Sequence, residues 1–485
     1  MRSELSQNQA WAEPLWTNFS LIGPLEARVS GGLPRSAEGI SIDTRTLAEG
    51  DLFFAIKGEN GDGHDYVRAA FEKGATAAVV EEAKADALKG LGPLYVVRDV
   101  LPSLERLARA ARARTRARIV AVTGSVGKTS TKEALRLVLG EAGAVHASVA
   151  SYNNHWGMPL TLARMPRATR FGIIEIGMNH AGEITPLTAM ARPHVAIITA
   201  VAPVHLEFFA SIEAIADAKA EIFSGLVPGG VAILNRDNDQ FGRLAAAARS
   251  SAAGHIATFG ADGPADARLI DVKLTEDQTV VNAQIHGRPM SYRIGAPGHH
   301  LALNSLAVLL AAEAFGLDLE TAANALASFD VPEGRGRRFL LATKHGRFTL
   351  IDESYNANPA SMRTALALMG ALPTHEESGR RIAVLGDMRE LGPRSDELHA
   401  GLAIDMQMNH IDLVFAAGPM MKHLFDALPG QHQGAWRASA AELEPIVSDA
   451  VHAGDLIVVK GSNASQMHVI VKALKSRYSG TNAAS

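Results

Sequence analysis

The stretch "TGSVGKTS" (Thr123–Ser130) follows the apolar run "RIVAV" (Arg118–Val122) and opens the helix-like segment "TKEALRLVLGEAG". A strand that ends in a glycine-containing turn, with Lys-Thr at the start of a helix, constrains the fold strongly. It calls for a mostly parallel sheet covered by helices, and it points backbone N–H groups and the positive end of a helix dipole at one spot. Gly124, Ser125, Val126, Gly127, Lys128, Thr129 and Ser130 are therefore candidate phosphate contacts. Lys128 is suited to the β/γ-phosphates and the Thr129 hydroxyl to Mg²⁺. The general pattern has a glycine where this chain has Val122, so the loop alone supports only "binds a nucleotide phosphate". The plainer reading is a glycine-rich turn into a helix with no ligand.

A chain of 485 residues is too long for one ordinary core and predicts two to four domains. A net charge of −4 gives no reason to expect nucleic acid or an anionic membrane as partner. The absence of cysteine excludes disulfides and thiolate metal sites. "MRSELSQNQAWAEPLW" lacks the apolar centre of a signal peptide, and "HVAIITAVAPVHLEFF" is broken by proline and histidine, so membrane insertion is not expected. A cytoplasmic enzyme is the class these features predict; a monomer is expected, although no sequence feature bears on oligomeric state.

Three regions separate by pattern. Residues 1–115 carry the short apolar runs "DLFFAI", "TAAVV" and "LYVV", a helix-like segment from His64 to Gly74, and the Arg/Ala-rich "LERLARAARARTRAR". That basic stretch reads as a solvated connecting helix rather than a nucleic-acid patch. Residues 116–331 alternate strand signals ("IVAV", "FGIIEIG", "HVAIITA", "GVAILN") with helical stretches at 182–191 and 211–226. Residues 256–294 read as shorter strands forming an antiparallel appendage, followed by the long helix "LALNSLAVLLAAEAFG". Residues 332–485 begin at the linker-like "VPEGRGRR" and alternate again through "RFTLID", "RIAVLGD", "DLVFAAG" and "DLIVVKGS". The expected architecture is α/β in three domains: an N-terminal domain, a central P-loop ATPase-like sheet and a C-terminal Rossmann-like domain.

Further candidates sit at strand ends. Glu175 closes an apolar strand, where a buried carboxylate needs a partner or a metal; a carboxylate turned to solvent is the alternative. His205 follows another strand, and Lys219 lies on the helix after it. Taken alone, these two would be called structural and surface residues. Asp352 ends a strand before Asn356 and Asn358, and Lys460 ends another. Asparagines are common in plain turns, but a strand-end aspartate beside them is a ligand-binding setting.

Taken in order, "TGSVGKTSTKE", "SYNNHWGMPLTL", "EIGMNHAGEI", "VHLEFF…AKAEIF", "IDESYNANPASM", "GDMRELG" and "KGS" resemble the Mur ligase family, ATP-dependent enzymes of peptidoglycan precursor synthesis. "SIDTRTLAEGDLFFAIKGENGDGHDYVRAAFEKGA" is similar to the family's nucleotide-sugar-binding domain, and the shortened phosphate loop is the family's usual form. "YNANP" with "GDMRELG" is most similar to the member that takes a dipeptide.

The resemblance implies ligation of D-alanyl-D-alanine to UDP-N-acetylmuramoyl-tripeptide through an acyl phosphate. Lys128, Glu175, His205 and Lys219 are then the catalytic group. Two Mg²⁺ ions would be served by Thr129, Glu175, His205 and Lys219, the last carbamylated. Asn304, Arg335 (favoured over Arg337) and Asp352 would contact ATP. Asp43, Thr44, Arg45, Asp62, Gly63 and His64 would lie at the UDP-sugar site, Asn153 and Asn154 near the muramoyl-peptide, and Asn356, Asn358 and Lys460 near the dipeptide. Domain closure over the substrates is expected because the ATP loop and "YNANP" fall in different regions. The chain departs from the family at Val126, where Asn is common, at Ser130, where Thr is common, and at His300, which replaces one Asn. The alternatives are a sister ligase or folylpolyglutamate synthase-like enzyme, a P-loop ATPase switch, and a scaffold that has lost catalysis.

Overall fold

The computed structural model describes residues 13–58, 61–149, 152–203, 207–275, 277–374 and 379–478. These pack into two compact units. One gathers the chain up to Ala121 with Gly143–Ile176 and Pro186–Pro193; the other holds Val122–Ala142, Gly177–Thr185 and the chain from His194 onward.

In the first unit, the predicted runs become the strands Asp51–Phe54, Ala77–Glu81 and Leu94–Val97, joined by Arg28–Ser30 and Gly39–Ser41. Arg28–Ser30 pairs antiparallel with Leu94–Val97, and the other neighbours are parallel. Residues alternate between two buried clusters, one around Phe54, Val79 and Tyr95 and the other around Phe53, Ala78 and Val80. That is the signature of a sheet covered on both faces. Val145–Ala147 and Phe171–Glu175 form a further parallel pair in this unit.

The Arg/Ala-rich stretch folds as the helix Val100–Arg114. It is not the solvated connector its charge suggests. Leu104, Leu107, Ala108 and Ala111 are fully buried. Arg112 donates to the carbonyls of Ala191 and Arg192, and Arg114 to those of Leu15 and Met165. Burial pulls the Arg114 guanidinium down to about 10. These arginines satisfy carbonyls inside a core, a use that composition does not disclose.

In the second unit, Val195–Ile198, Gly230–Asn235, Ala253–Gly260 and Ala267–Leu274 pair in parallel, and Thr279–Ile285 and Arg288–Ile294 extend that sheet antiparallel. Residues 256–294 are thus the edge of the same sheet rather than an appendage, and the antiparallel part begins only after Leu274. The long helix His299–Ala314 is buried nearly all round and packs on the helix Lys128–Gly140.

The remaining sheet runs Arg337–Thr343, Gly346–Glu353, Leu456–Lys460, Arg381–Gly386, Leu413–Ala417, Gln433–Arg437. Its first pair is antiparallel and the others are parallel. The edge strands Arg337–Thr343 and Gln433–Arg437 are not among the expected runs: the second has only Ala435 and Trp436 as adjacent apolar residues, and the first, although Phe339–Ala342 is apolar, follows directly on the linker-like "GRGRR". Among the described residues, no helix is long and apolar enough to cross a membrane.

Candidate nucleotide and ligation site

The phosphate loop is built by backbone that only glycine adopts easily. Gly124 has φ +150° and Gly127 φ +82°. A Cβ on Gly124 would collide with Thr199 Oγ1, and one on Gly127 would stand 2.5 Å from Asn304 Nδ2. Thr199, at the end of its strand, donates its hydroxyl to the carbonyl of Val126 at 2.6 Å. Ser125 gives its N–H to Ala200 O at 2.8 Å and its hydroxyl to Ala202 O at 3.1 Å. Both groups therefore fasten the loop, which leaves Ser125 less to offer a phosphate than the sequence suggests. Lys128 Nζ folds back onto Gly124 O at 2.7 Å, and Thr129 and Ser130 lie buried in the first helical turn.

The helix Ile212–Ala220 is capped by Ser211 and carries Lys219 in its last turn, only 2% exposed. Burial, with Lys128 adding repulsion, holds the Lys219 amine well below the usual lysine range. Glu221, just beyond, accepts the N–H of Gly182 at 2.6 Å and the N–H and hydroxyl of Thr185 at 3.0 Å each. It ties the loop 177–185 to the lysine-bearing segment. His205 lies outside the described residues.

In the third region, Asp352 shapes a turn. Its carboxylate accepts the N–H of Gly334 and both N–H and hydroxyl of Ser354, while its carbonyl accepts the N–H of Gly336. Arg335 is thereby presented over the Tyr355 ring at 4.3 Å, whereas Arg337 is paired with Asp330 at 3.1 Å. Lys460 is 2% exposed and reaches Glu353 Oε2 at 3.0 Å and the carbonyl of Asn356 at 2.9 Å. Asn358 caps the helix Pro359–Ala371 through a reciprocal bond with Ser361. Lys460 and Asn358 both have structural partners inside the fold.

In the first unit, Asp43 accepts Arg45 in a fork, with Arg45 Nη2 at 2.7 Å, and Thr44 O accepts Lys73. Asp62 accepts the N–H and the ring of His64, and these bonds with Lys84 overcome desolvation to hold its carboxyl down at about 2. His64 is buried and its Nε2 accepts the N–H of Glu81, so the histidine is a strut rather than an exposed contact. Gly63 has no room for a side chain beside Ile56. Glu175 is 1% exposed and accepts Asn153 Nδ2 at 2.7 Å. Asn154 Oδ1 accepts the N–H groups of Trp156 at 3.2 Å and Gly157 at 2.9 Å, just ahead of the helix Gly157–Ala163.

Known proteins share this arrangement along the chain. Residues 36–115 match the pattern described as "Mur ligase family, catalytic domain", 122–312 "Mur ligase middle domain", and 337–463 "Mur ligase, glutamate ligase domain". The UDP-N-acetylmuramoyl-tripeptide–D-alanyl-D-alanine ligase of Rickettsia prowazekii is 32% identical over 94% of this chain and 99% of its own length. The chain belongs to the Mur ligase family. The enzyme of the same description from Bacillus subtilis is 33% identical over 90% of this chain and 93% of its own. Among solved structures, MurF from Acinetobacter baumannii superposes with a TM-score of 0.80 at 27% identity, covering 95% of this chain and 99% of that one. MurF from Thermotoga maritima in complex with ADP gives 0.73 at 25% identity, covering 90% and 97%.

Several residues of this Mur ligase that build the site escaped the sequence reading. Thr199 ends a strand already recognised, so its position beside the loop was legible in principle. Glu221 lies within the quoted "AKAEIF", and Glu353 within "IDESYNANPASM". Their roles depend on which distant backbone they meet, and no local pattern reports that.

Proposed function

We propose that this Mur ligase joins D-alanyl-D-alanine to UDP-N-acetylmuramoyl-tripeptide with ATP, releasing ADP and phosphate in the cytoplasm. The observation that carries the reading is whole-length similarity to ligases of that description, together with a phosphate loop held by Thr199 and Ser125. A carboxylate is a poor acyl donor, so ATP first phosphorylates the terminal carboxylate of the tripeptide. The dipeptide amine then displaces phosphate.

Phosphoryl transfer needs positioning and charge neutralisation more than covalent help from the protein. Lys128 supplies a cation at the loop. Arg335, presented over Tyr355 by the Asp352 turn, is our choice for the nucleotide. Asn304, against Gly127, supports the same loop. Hard oxygen donors, such as the Thr129 hydroxyl and the Glu175 carboxylate, suit Mg²⁺, and the buried Glu175 has the chemistry of a ligand. When bound, Mg²⁺ neutralises charge developing on the phosphates.

Burial favours the neutral Lys219 amine, the form that reacts with CO₂, so the residue fits carbamylation. We assign Asp43, Thr44, Arg45 and the turn Asp62–His64 to the UDP-sugar side, and Asn153 and Asn154 to the muramoyl-peptide. Asn356, Asn358 and Lys460 are assigned to the dipeptide side. The three regions 1–115, 116–331 and 332–485 would divide the work as sugar, ATP and dipeptide modules of a monomer.

Mass analysis of the product tests the assignment. UDP-N-acetylmuramoyl-tripeptide should gain one D-alanyl-D-alanine. Addition of a single amino acid in its place would favour a sister ligase.

A further inference from the structure

The dipeptide arrives as an ammonium ion, which has no lone pair, and must lose a proton before it attacks an acyl phosphate. His180, in the quoted "EIGMNHAGEI", takes no part in the roles given so far. Its ring Nδ1 lies 3.0 Å from Glu183 Oε1, and its side chain is 58% exposed. The other oxygen of Glu183 accepts the N–H of Asn179 at 2.8 Å, so the carboxylate is fixed. Burial pushes the Glu183 carboxyl up, but the Asn179 and His180 bonds outweigh it and hold the group below its usual range. An ionised carboxylate can only accept, so Nδ1 carries the hydrogen and Nε2 the lone pair.

The surroundings tie this dyad to the segment that carries Lys219 and to the loop after the neighbouring strand. Glu221 anchors the loop 177–185 to the segment that carries Lys219. The His180 ring lies 4.6 Å from the ring of Phe208, in the loop after the strand Val195–Ile198. Glu207, next to Phe208, donates its N–H to the carbonyl of Glu390 at 3.3 Å, and Gly392 packs on Glu207 as well. Glu390 and Gly392 belong to "GDMRELG", the loop after the strand Arg381–Gly386 of the third region. His180 thus lies in one strand-end loop against a second, and that second loop meets a third, from the other sheet, through Glu207; ligands bind at such ends. Among the described residues, Glu183 and Glu221 both hold the loop 177–185 through their carboxylates.

We propose that His180 is the general base that accepts a proton from the incoming amine, with Glu183 fixing its tautomer; this rests on the ligase reading above. One ammonium proton passes to Nε2. The freed nitrogen lone pair forms the C–N bond to the acyl carbon. The bond from that carbon to the phosphate oxygen breaks, its electron pair leaves on phosphate, and phosphate takes the second N–H proton.

The test separates the two half-reactions in the full-length enzyme. Acyl-phosphate formation is read as hydroxamate after trapping with hydroxylamine in the absence of dipeptide, and ligation is read with D-alanyl-D-alanine across pH. His180→Asn should lower ligation near neutral pH by about 10²–10⁴-fold, keep hydroxamate formation within about twofold, and recover as rising pH frees the amine. Hydroxamate formation by the variant also shows that it folds. Equal loss of both reactions, or unchanged ligation, overturns the role of His180. A wild-type enzyme that forms no hydroxamate overturns the ligase reading itself, and with it this role.

Discussion

Thr199 and Val126 are joined by a 2.6 Å hydrogen bond from the threonine hydroxyl to the valine carbonyl. The end of one strand thus grips the middle of the phosphate loop. The bond is part-buried, and Thr199 itself is 1% exposed, so little water competes for it.

Thr199→Val keeps the shape and removes the donor. We expect a loss of about 1–3 kcal/mol in stability, because the Val126 carbonyl loses its partner, and a several-fold rise in KM for ATP. Val126→Asn should be nearly silent, since the backbone of that residue is what the fold holds. Thermal unfolding and ATP titration of both variants check this. A large loss from Val126→Asn would show that the side chain matters.

Lys219 gives a pH prediction whose sign follows from its lowered folded-state value. An unfolded lysine holds its proton up to about 10.4. Between the depressed folded value and that point the unfolded chain binds the extra proton, so stability rises with pH across the window. Lys219→Met removes the slope. In CO₂-free buffer the variant should be more stable than wild type near neutral pH, with the gap closing toward alkaline pH, and it should not ligate. Chemical unfolding over that range, with activity assayed with and without bicarbonate, reads both effects.

Asn358 carries two assignments that a pair of substitutions can separate. Asn358→Ala removes the cap of the helix Pro359–Ala371 and should cost about 0.5–2 kcal/mol. Asn358→Asp keeps a capping oxygen and should restore stability. If the residue also binds the dipeptide, Asn358→Asp will still show a raised KM for D-alanyl-D-alanine.

The Lys460–Glu353 pair is almost dry on the lysine side. Lys460→Met leaves Glu353 without its cation, and Glu353→Gln leaves a buried ammonium; each should destabilise by about 3–5 kcal/mol. The double variant should be less damaged than the sum of the two, as denaturant titration of the cycle would show.

Most buried strands were legible in the sequence as continuous apolar runs. "DLFFAI", "TAAVV" and "LYVV" are strands covered on both faces, and each was legible. The edge strand Gln433–Arg437 was not, because it has no run of more than two apolar residues, and Arg337–Thr343 was hidden by the "GRGRR" that leads into its apolar Phe339–Ala342. Arg112 and Arg114 misled for the opposite reason: their charge reads as solvation, yet their partners are carbonyls far along the chain. The strand, glycine turn and helix of residues 118–140 were readable from spacing alone. The locks on it at Thr199 and Asn304 depend on tertiary contact, as do the ties at Glu221 and Glu353.

The central claim is that this Mur ligase couples ATP cleavage to amide formation between two specific substrates. ADP release should be measured with UDP-N-acetylmuramoyl-tripeptide alone, with D-alanyl-D-alanine alone, and with both. Sustained turnover only with both, at one ADP per amide formed, is the predicted result. ATP hydrolysis at the same rate with and without the two substrates would contradict it.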